Sequence, residues 1–413
     1  MSIASAITAA QGRVAAAYTS CNTMGATMPA PSDQDLSHLP ATIESIPSGG
    51  GNPEAEENDV IFIDYDGTIR YSYSAADFAN LTALPANPSH TGLTAQGWNW
   101  TLADAQAYVA QYGSLVVGQN YITDDGKTRL YIRIANPGRM TVPLWFYDTA
   151  ANNVEIDWGD GSSTETVGSG GIVNPTHTYS SPGDYVITYK VLFGTIELGG
   201  GSSNWTVVGA STNSGRVYLN MLRKIEIGAG VTALRNNSCQ NTMSLDTVSV
   251  PNTVTSVGAN TFSSSSLRAF VYPSTVTNVQ GNTFYNYQVH ISVSFCKQIT
   301  AFSNPFTYNY GITKVSIPPS VTSFTGNTFY NCYSLAKIVV PAGVTDIGSS
   351  CFQNCHGLKE LWLHPTTPPT FGANALTNTP ADLTIYVPRG YLATYQGATG
   401  WSAYASQMIE MPA

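Results

Sequence analysis

The hydrophobic and polar positions of residues 222–382 repeat with a period of 22 or 23 residues, which lengthens to 25 in the last of seven copies. The clearest copies are ITKVSIPPSVTSFTGNTFYNCYS at 312–334 and LAKIVVPAGVTDIGSSCFQNCHG at 335–357. Each copy opens with apolar residues at alternate or nearly alternate positions and stops at proline or a small residue, which predicts a short strand. One such unit cannot bury its own apolar face, so the period predicts a solenoid of stacked coils.

Later in each copy, one register position carries a residue that we expect to point into the core. The terminal copies place Cys239 and Leu376 there, and the others place an aromatic ring: Phe262, Phe284, Phe306, Phe329 and Phe352. The repeats resemble the BspA-like (treponemal-type) leucine-rich repeat family, and residues 383–413 resemble its closing cap. The resemblance implies a C-terminal leucine-rich-repeat solenoid that presents surfaces and rarely performs chemistry. We predict that residues 201–221 form its entry cap.

The pattern of residues 59–136 is that of a small α+β module. VIFIDYDGTIRYSYS (60–74) predicts two strands joined by an Asp66-Gly67 turn, and Thr101 to Asp104 form a capping box that opens a helix over 102–112. LVVGQNYITDDGKTRLYIRI (115–134) predicts a second hairpin around Asp125-Gly126. The combination DYDGT and LPANPSHTGLTAQGW resembles the internalin-type B-repeat, which implies a β-grasp-like fold.

The segment IDYDGT also contains the strand-DxDGT motif of haloacid-dehalogenase-type phosphatases. In such an enzyme Asp64 would attack phosphorus, Asp66 would be the acid/base, and both would hold magnesium. That fold needs alternating strands and helices over about 150 residues, whereas a new module begins about 70 residues after the motif. We therefore favour a structural turn, with the phosphatase as an alternative.

Residues 137–200 alternate as strands of a sheet with one buried face, as in Val154, Ile156 and Trp158. WGDG followed by HTYSSPGDYVI resembles the polycystic-kidney-disease (PKD) domain, which implies an immunoglobulin-like β-sandwich. There His177 is expected to be a hydrogen-bonded core histidine rather than a catalytic group. Asp157 and Asp160 are too few oxygen ligands to predict a calcium site.

Residues 1–26 predict an amphipathic helix, and residues 27–58, rich in Pro, Gly, Ser and acidic side chains, predict a linker. The small or apolar positions follow the 4-3-4-3 spacing of a coiled-coil seam: Ile3, Ile7, Ala10, Val14 and Ala17. This face needs another chain, either a homo-oligomer partner, with a trimer favoured, or another protein surface. The leader resembles N-terminal segments of virion proteins from phages of gut Firmicutes, which implies attachment to a particle.

Charged residues make up only 10% of the 413 residues, with a net charge of −9. No basic stripe is present, so a nucleic acid is not an expected partner. The N-terminal sequence lacks the basic and apolar regions of a secretory signal, and no stretch of about 18 apolar residues predicts a membrane span. Together with the modules above, this predicts a multidomain, mainly β protein at a virion surface.

Six cysteines are too few for a disulfide scaffold in a chain of this length. Cys332 and Cys355 occupy the same repeat position 23 residues apart, so we expect them to be stacked and buried. A bridge between them, or a metal site through Cys351, Cys355 and His356, is the alternative.

No nucleophile–base set, phosphate loop or HExxH-type motif occurs, so we expect no enzyme activity and no cofactor. The candidate binding residues follow the register phenylalanines, where a turn should align a Tyr/Asn ribbon across the coils: Tyr285, Asn286, Tyr287, Tyr308, Asn309, Tyr310, Tyr330, Asn331 and Tyr333. Tyrosine and asparagine suit the recognition of glycans or proteins. The alternative is that some of these tyrosines only pack against the loop.

The favoured hypothesis is a phage fibre, decoration or receptor-binding protein, in which the N-terminal segment attaches to the virion. Two β modules would be spacers, and the solenoid would contact a glycan or protein of the host-cell surface. The first alternative is a bacterial cell-surface adhesin with the same modules.

Overall fold

The computed structural model describes residues 59–200, 205–209 and 220–412. The predicted helix and linker, and most of the predicted entry cap, lie outside these ranges. So do the predicted attachment residues Ile3, Ile7, Ala10, Val14 and Ala17. The described part of the chain is mainly β, with an α+β unit, a sandwich built on two larger sheets and a seven-coil solenoid.

The α+β unit consists of β1 (Val60–Ile63), β2 (Ile69–Tyr73), α1 (Ala75–Ala79), β3 (Leu93–Trp98), α2 (Leu102–Tyr112) and β4 (Leu115–Thr123). Its sheet has the order β2-β1-β4-β3, and β1 and β4 run parallel. The predicted first hairpin is confirmed, with Gly67 at a φ of +90°. The predicted helix is also confirmed, because the Thr101 hydroxyl accepts the N–H of Asp104 at its start.

The predicted second hairpin is wrong. The turn at Asp125 and Gly126 forms, but the strand after it, β5 (Thr128–Ile134), pairs with strands Gly183–Val191 and Leu222–Glu226 instead of β4. The reason is that β1 and β3 already occupy both edges of β4, which leaves β5 no edge to join. The sheets therefore place β5 with the sandwich and not with the 59–136 module.

The sandwich adds β6 (Thr141–Pro143), β7 (Phe146–Asp148), β8 (Val154–Asp157), β9 (Glu165–Val167), β10 (Ile172–Val173), β11 (Thr176–Thr178), β12 (Gly183–Val191) and β13 (Ile196–Leu198). Its two larger sheets continue into the solenoid, since β5 pairs with the first strand of the first coil and β13 with its second, while β6 and β11 pair with each other. Strands β5 and β13 cover the coil end for which the sequence predicted a cap at 201–221. One core therefore runs through sandwich and solenoid.

The strands of the seven coils are β14 (Leu222–Glu226), β15 (Val231–Leu234), β16 (Thr247–Ser249), β17 (Ser256–Val257), β18 (Ala269–Val271), β19 (Asn278–Val279), β20 (Ser292–Ser294), β21 (Ala301–Phe302), β22 (Ser323–Phe324), β23 (Lys337–Val340), β24 (Asp346–Ile347), β25 (Glu360–Leu363) and β26 (Thr370–Phe371). Inside them the register phenylalanines form a column from Phe262 to Phe352. Neighbouring rings are stacked, with centroids 5.4 to 6.1 Å apart. The predicted core column is confirmed.

The last coil is covered by β27 (Thr384–Val387), α3 (Leu392–Gly397), a 3-10 helix (Trp401–Gln407) and β28 (Met408–Glu410). β27 continues the parallel strand stack of the solenoid, and β28 adds one further strand. The fully buried Trp401 packs on Phe371 with ring centroids 4.4 Å apart, which shields the apolar end of the stack.

The α+β unit packs directly on the strand face of the solenoid. The Trp100 indole is buried and donates a 2.7 Å hydrogen bond to the Phe295 carbonyl, while the Asn99 amide donates to the Ser294 hydroxyl at 3.0 Å. The Tyr108 hydroxyl donates to a solenoid carbonyl at 2.8 Å. These bonds satisfy buried polar groups across the contact, so the unit is docked on the solenoid, in contrast to the spacer that the sequence suggested.

Apolar side chains complete this contact. Ile61, Ile63 and Val116 of the unit form one cluster with Ala269 and Val271, which point outward from a solenoid strand. Outward apolar residues on a strand face require a cover, and the α+β unit supplies it.

Candidate binding surface on the turns of the solenoid

Each coil contains two positions, four residues apart, with left-handed backbone. The first is occupied by Asn237, Asn260, Asn282, Asn304, Asn327, Ser350 and Asn374. The second is occupied by Asn241, Ser264, Asn286, Tyr308, Asn331, Asn354 and Asn378. This conformation aims N–H groups at the next coil, as when the Asn331 N–H donates to the Gln353 carbonyl at 3.0 Å. Asparagine is common here because it adopts positive φ at low cost.

Tyr308 is the one bulky side chain at these positions, which otherwise hold asparagine or serine. It has a φ of +58° at a position where the neighbouring coils place Asn286 and Asn331. A bulky side chain at positive φ is strained by about 1 to 2 kcal/mol, and such strain is commonly retained for function. The backbone bond is nevertheless made, since the Tyr308 N–H donates to the Tyr330 carbonyl at 2.7 Å.

The strained residue lies at the centre of a half-exposed aromatic cluster, which we call the tyrosine patch. The Tyr308 ring lies 5.4 Å from that of Tyr285, 5.2 Å from Tyr330 and 6.4 Å from Tyr310, centroid to centroid. The patch continues from Tyr310 to the 41% exposed Tyr333 at 4.8 Å. Its members are Tyr285, Tyr308, Tyr310, Tyr330 and Tyr333.

His356 extends this row, with its ring 5.0 Å from that of Tyr333. It is exposed and was not predicted as a binding residue. The sequence contains the signal, because His356 follows Tyr333 by 23 residues, as Tyr333 follows Tyr310.

Two predicted ribbon residues point into the core instead. Tyr287 and Asn309 are fully buried, and Asn309 donates to the Phe284 carbonyl at 3.2 Å. They occupy the repeat position of Cys332 and Cys355, whose thiols donate to the equivalent carbonyls of preceding coils. This position faces inward in every such coil, so neither residue can contact a ligand.

The predicted asparagines are structural as well. Asn331 is 6% exposed and accepts a 2.6 Å hydrogen bond from the Asn354 amide, which in turn accepts from Asn378 at 2.8 Å. Asn286 donates to the Ser264 hydroxyl at 3.0 Å. The asparagines thus form a ladder that joins coils, and only the tyrosines of the ribbon remain as a surface.

Tyr308 and Tyr310, in the middle of the tyrosine patch, are uncharged at neutral pH. Partial burial, and then the neighbouring tyrosines, raise the pKa of Tyr308 and that of Tyr310 above the ordinary value. The surface therefore offers neutral ring faces and hydroxyl groups that can both donate and accept, which suits the stacking and hydrogen bonding of sugars or polar peptides.

Asp64, the candidate phosphatase nucleophile, is fully buried and engaged by its own unit. Its Oδ2 accepts from Arg70 Nε and lies 2.8 Å from His90 Nε2, while its Oδ1 accepts the N–H of Tyr65 at 2.9 Å. Asp66 accepts the N–H of Thr68, as the predicted turn requires. This arrangement gives Asp64 a structural role, because both of its carboxylate oxygens are engaged by neighbouring residues.

We expect Asp64→Asn to lower the free energy of unfolding by about 2 kcal/mol, because the neutral amide weakens two charge-assisted hydrogen bonds. Asp66→Asn is the matched control, since an amide oxygen can accept the same Thr68 N–H. Urea unfolding of both variants measures the difference. A magnesium-dependent phosphatase activity that Asp64→Asn abolishes would contradict the structural role.

His177 is hydrogen-bonded, as the sequence predicted, but its side chain is 19% exposed and it is not a core residue. Its Nε2 lies 2.7 Å from an Asp160 carboxylate oxygen, and its ring stacks on that of Trp158 with centroids 4.9 Å apart. Hydrogen bonds from Ser162 and then His177 lower the pKa of Asp160 to about 2. Asp157 accepts the N–H of Gly159 and is one of the turn residues.

The cysteines within the described ranges are free and buried: Cys239, Cys296, Cys332, Cys351 and Cys355. The alternative of a bridge between Cys332 and Cys355 is therefore wrong, and burial raises the pKa of both thiols. Among the residues that the structure describes, no group of three or more His, Cys, Asp or Glu could hold a metal ion. The same residues include no helix long and apolar enough to cross a membrane.

Comparison with known families identifies the repeats. The model of the BspA type leucine rich repeat region matches residues 217–334 and 292–391, with six copies. A comparison with curated proteins finds no match.

Three solved structures are similar to parts of the chain. A leucine-rich repeat protein from Bacteroides ovatus is 18% identical over 47% of this chain and 55% of its own, with a TM-score of 0.35. A leucine rich cell surface protein from Faecalibacterium prausnitzii is 19% identical over 35% of this chain and 61% of its own, with a TM-score of 0.23. The pneumococcal vaccine antigen PcpA is 12% identical over 46% of this chain and 66% of its own, with a TM-score of 0.27.

The chain thus spans little more than half the length of the first two structures, and TM-scores this low support no inference about it. The family match and the parallel strand stacks carry the assignment by themselves. The chain is a mainly β protein whose C-terminal part is a β-solenoid of the leucine-rich-repeat type.

Proposed function

We propose that this protein is a non-enzymatic contact protein that binds a glycan or protein of a host-cell surface through the tyrosine patch. The observation that carries the proposal is Tyr308, which occupies a strained left-handed position between coils that place asparagine there. Its ring joins Tyr285 and Tyr330 into a continuous surface. Retained strain at the centre of an exposed aromatic cluster favours a binding role over simple packing.

Tyr308→Asn is the experiment that tests this proposal. We expect it to raise the free energy of unfolding by about 1 kcal/mol, because asparagine tolerates positive φ and can complete the asparagine ladder. We also expect cell binding to weaken by about tenfold, because the central ring is lost. Thermal melting and a cell-binding isotherm measure the two effects.

Ser264→Asn is the matched control, since Ser264 has the same left-handed conformation two coils away and carries no ring. It should leave binding unchanged. If Tyr308→Asn also left binding unchanged, the strain would have no role in recognition.

We infer further that the chain is part of a phage virion, as a fibre, decoration or receptor-binding protein. The support is the resemblance of its N-terminal segment to leaders of virion proteins, with attachment and self-association through that segment. A PKD-like sandwich, and a β-grasp-like module docked on the solenoid, would then follow that attachment segment along the chain. The second candidate is a bacterial cell-surface adhesin, which the repeat type favours.

Mass spectrometry of purified phage particles separates these two candidates. The chain should co-purify with virion proteins through a density gradient if it is a structural component. Recovery from the bacterial envelope, and not from particles, would instead identify the adhesin. Either result leaves the tyrosine patch to be tested independently.

A further inference from the structure

The rings of the tyrosine patch, together with that of His356, form two rows that follow the solenoid axis. The first row consists of Tyr285, Tyr308 and Tyr330, with neighbouring ring centroids 5.4 and 5.2 Å apart. The second row consists of Tyr310, Tyr333 and His356, with neighbouring centroids 4.8 and 5.0 Å apart. Neighbouring strands of a stack lie about 4.8 Å apart, so each row places one ring on each coil that it crosses.

The rows have defined ends. In the other coils, the repeat position of the second row holds residues without an aromatic ring: Met243, Ser266, Gln288 and Pro380. The rings therefore occupy four successive coils, from 267–288 to 335–357. A ligand that contacts both rows over their full length spans three coil spacings, or roughly 15 Å.

The surface around the rows lacks charged side chains. The turn segments that carry the rings contain no Asp, Glu, Lys or Arg: 281–288, 304–311, 326–334 and 349–357. Besides burial, the groups that raise the pKa of Tyr310 are three neighbouring tyrosines. A charged ligand would lose hydration on this surface without gaining a counter-charge, which is costly. The rows therefore favour a neutral ligand.

The rows form a narrow strip and not a broad interface. Tyr333 is 41% exposed, and the other four tyrosines are less exposed. Since a whole aromatic side chain offers about 150 to 250 Å², the five tyrosines together present at most roughly 400 Å². A protein partner usually covers about 800 Å² on each side. A strip of this width suits a ligand that is itself a chain of small units.

The chemistry of the rows matches a sugar chain. A pyranose ring is about as wide as a phenol ring, and it has an apolar C–H face with hydroxyls at its rim. Tyrosine offers a flat face for the first and a hydroxyl that donates and accepts for the second. Exposed Gln288 and Ser334 add neutral hydrogen-bonding groups beside the rows.

We propose that the tyrosine patch binds a linear, neutral glycan that lies along the solenoid axis, with about one sugar on each coil. Tyr308 would pack against the middle of the glycan, and Tyr285 and His356 against its two ends. This inference rests on the proposed function of the patch and names the class of its ligand. A glycan on the cell surface and the same glycan in soluble form share this chemistry.

Two treatments of the host cells test the ligand class. Periodate cleaves the vicinal diols of sugars, whereas a protease cuts surface proteins. We expect periodate to weaken cell binding by the full chain about tenfold or more, and protease to leave it unchanged. Binding that survives periodate and is lost with protease would overturn the glycan in favour of a protein ligand.

Fragments of the host polysaccharide test its length and charge. Polysaccharide released from host cells is partly hydrolysed, separated by anion exchange into neutral and acidic pools, sorted by length and titrated by calorimetry. We expect the neutral pool to bind, with an affinity that rises up to about four sugars and changes less than about twofold with added salt. Binding of the acidic pool alone, or an affinity that does not depend on length, would contradict the proposal.

Substitutions locate the glycan on the rows. Tyr285→Ala should weaken binding of a fragment of about four sugars about tenfold, whereas a disaccharide, which the other coils still hold, should bind as before. Met243→Ala is the matched control, because Met243 is 63% exposed at the repeat position of Tyr333 but lies outside the rows. It should bind every fragment as wild type does.

Failure of this inference is distinguishable from failure of the proposed function. Cell binding that does not change in Tyr308→Asn would contradict the role of the patch, and the glycan with it. Cell binding that depends on Tyr308 but resists periodate would overturn the glycan alone.

Discussion

Trp100→Ala is expected to lower the free energy of unfolding by about 3 to 5 kcal/mol, because it leaves a large cavity between the α+β unit and the solenoid. The indole is 4% exposed, packs on Tyr108 with ring centroids 5.2 Å apart and donates to the Phe295 carbonyl. Its loss therefore removes apolar burial and a hydrogen bond at once, and leaves a buried carbonyl without its partner. Urea unfolding followed by fluorescence and circular dichroism measures the change.

The same experiment decides whether the α+β unit is docked or is a spacer. In the docked arrangement, wild-type protein unfolds the unit and the solenoid together, and Trp100→Ala shifts or splits that transition. Trp100→Phe is the control, since it keeps most of the ring volume and loses only the hydrogen bond, with an expected cost of about 1 to 2 kcal/mol. Two separate transitions in the wild type, with only the first sensitive to Trp100, would identify an independent module.

The triple variant Tyr308→Ala/Tyr310→Ala/Tyr330→Ala is expected to weaken binding to host cells by about 100-fold or more, because tyrosines at the centre of an interface can cost about 1 kcal/mol or more each when truncated, and about 1.4 kcal/mol is tenfold. The three rings contact one another and lie on the turns outside the phenylalanine column. The melting temperature should change by only a few degrees, since substitutions at the surface alter stability little. A binding isotherm and a melting curve on the same preparation give both values.

Tyr391→Ala is the control for the loss of an exposed ring. Tyr391 is 38% exposed, close to the 41% of Tyr333, but it lies in the segment that closes the solenoid. It should bind cells as wild type does. Unchanged binding by the triple variant would show that the tyrosine patch is not the binding surface.

The period of the sequence predicted the solenoid correctly because every copy repeats the same local requirements. The aromatic column and the buried thiols follow from that register. The same register also indicates that Tyr287 and Asn309 are core residues and not binding residues. They align with Cys332 and Cys355, which were expected to be buried. Aligning each turn residue by residue would have placed both inside.

The left-handed positions were also present in the sequence, as asparagines recurring at 22 to 24 residues. Those asparagines suggested a binding ribbon. Their backbone conformation and mutual hydrogen bonds instead show that they join neighbouring coils. Tyr308 becomes informative only against that background, since the other coils place asparagine or serine at its position.

Contacts between modules could not be predicted in the same way. Whether β5 pairs with β4 or with the sandwich depends on which strand edges are free, and that depends on residues far away in sequence. One feature of the sequence indicates the docking of the α+β unit. Ala269 and Val271 are apolar and point outward from the strand face, so they need a cover. A local pattern shows that such a cover is required but does not identify it.

Chemical labelling of surface tyrosines tests the contact claim without any substitution. Mild iodination of the free protein and of the protein bound to host cells, followed by peptide mass spectrometry, gives the accessibility of each ring. The account predicts that Tyr308, Tyr310 and Tyr333 become protected on binding while Tyr391 is labelled equally in both states. Equal labelling of all four tyrosines in the bound and free protein would contradict it.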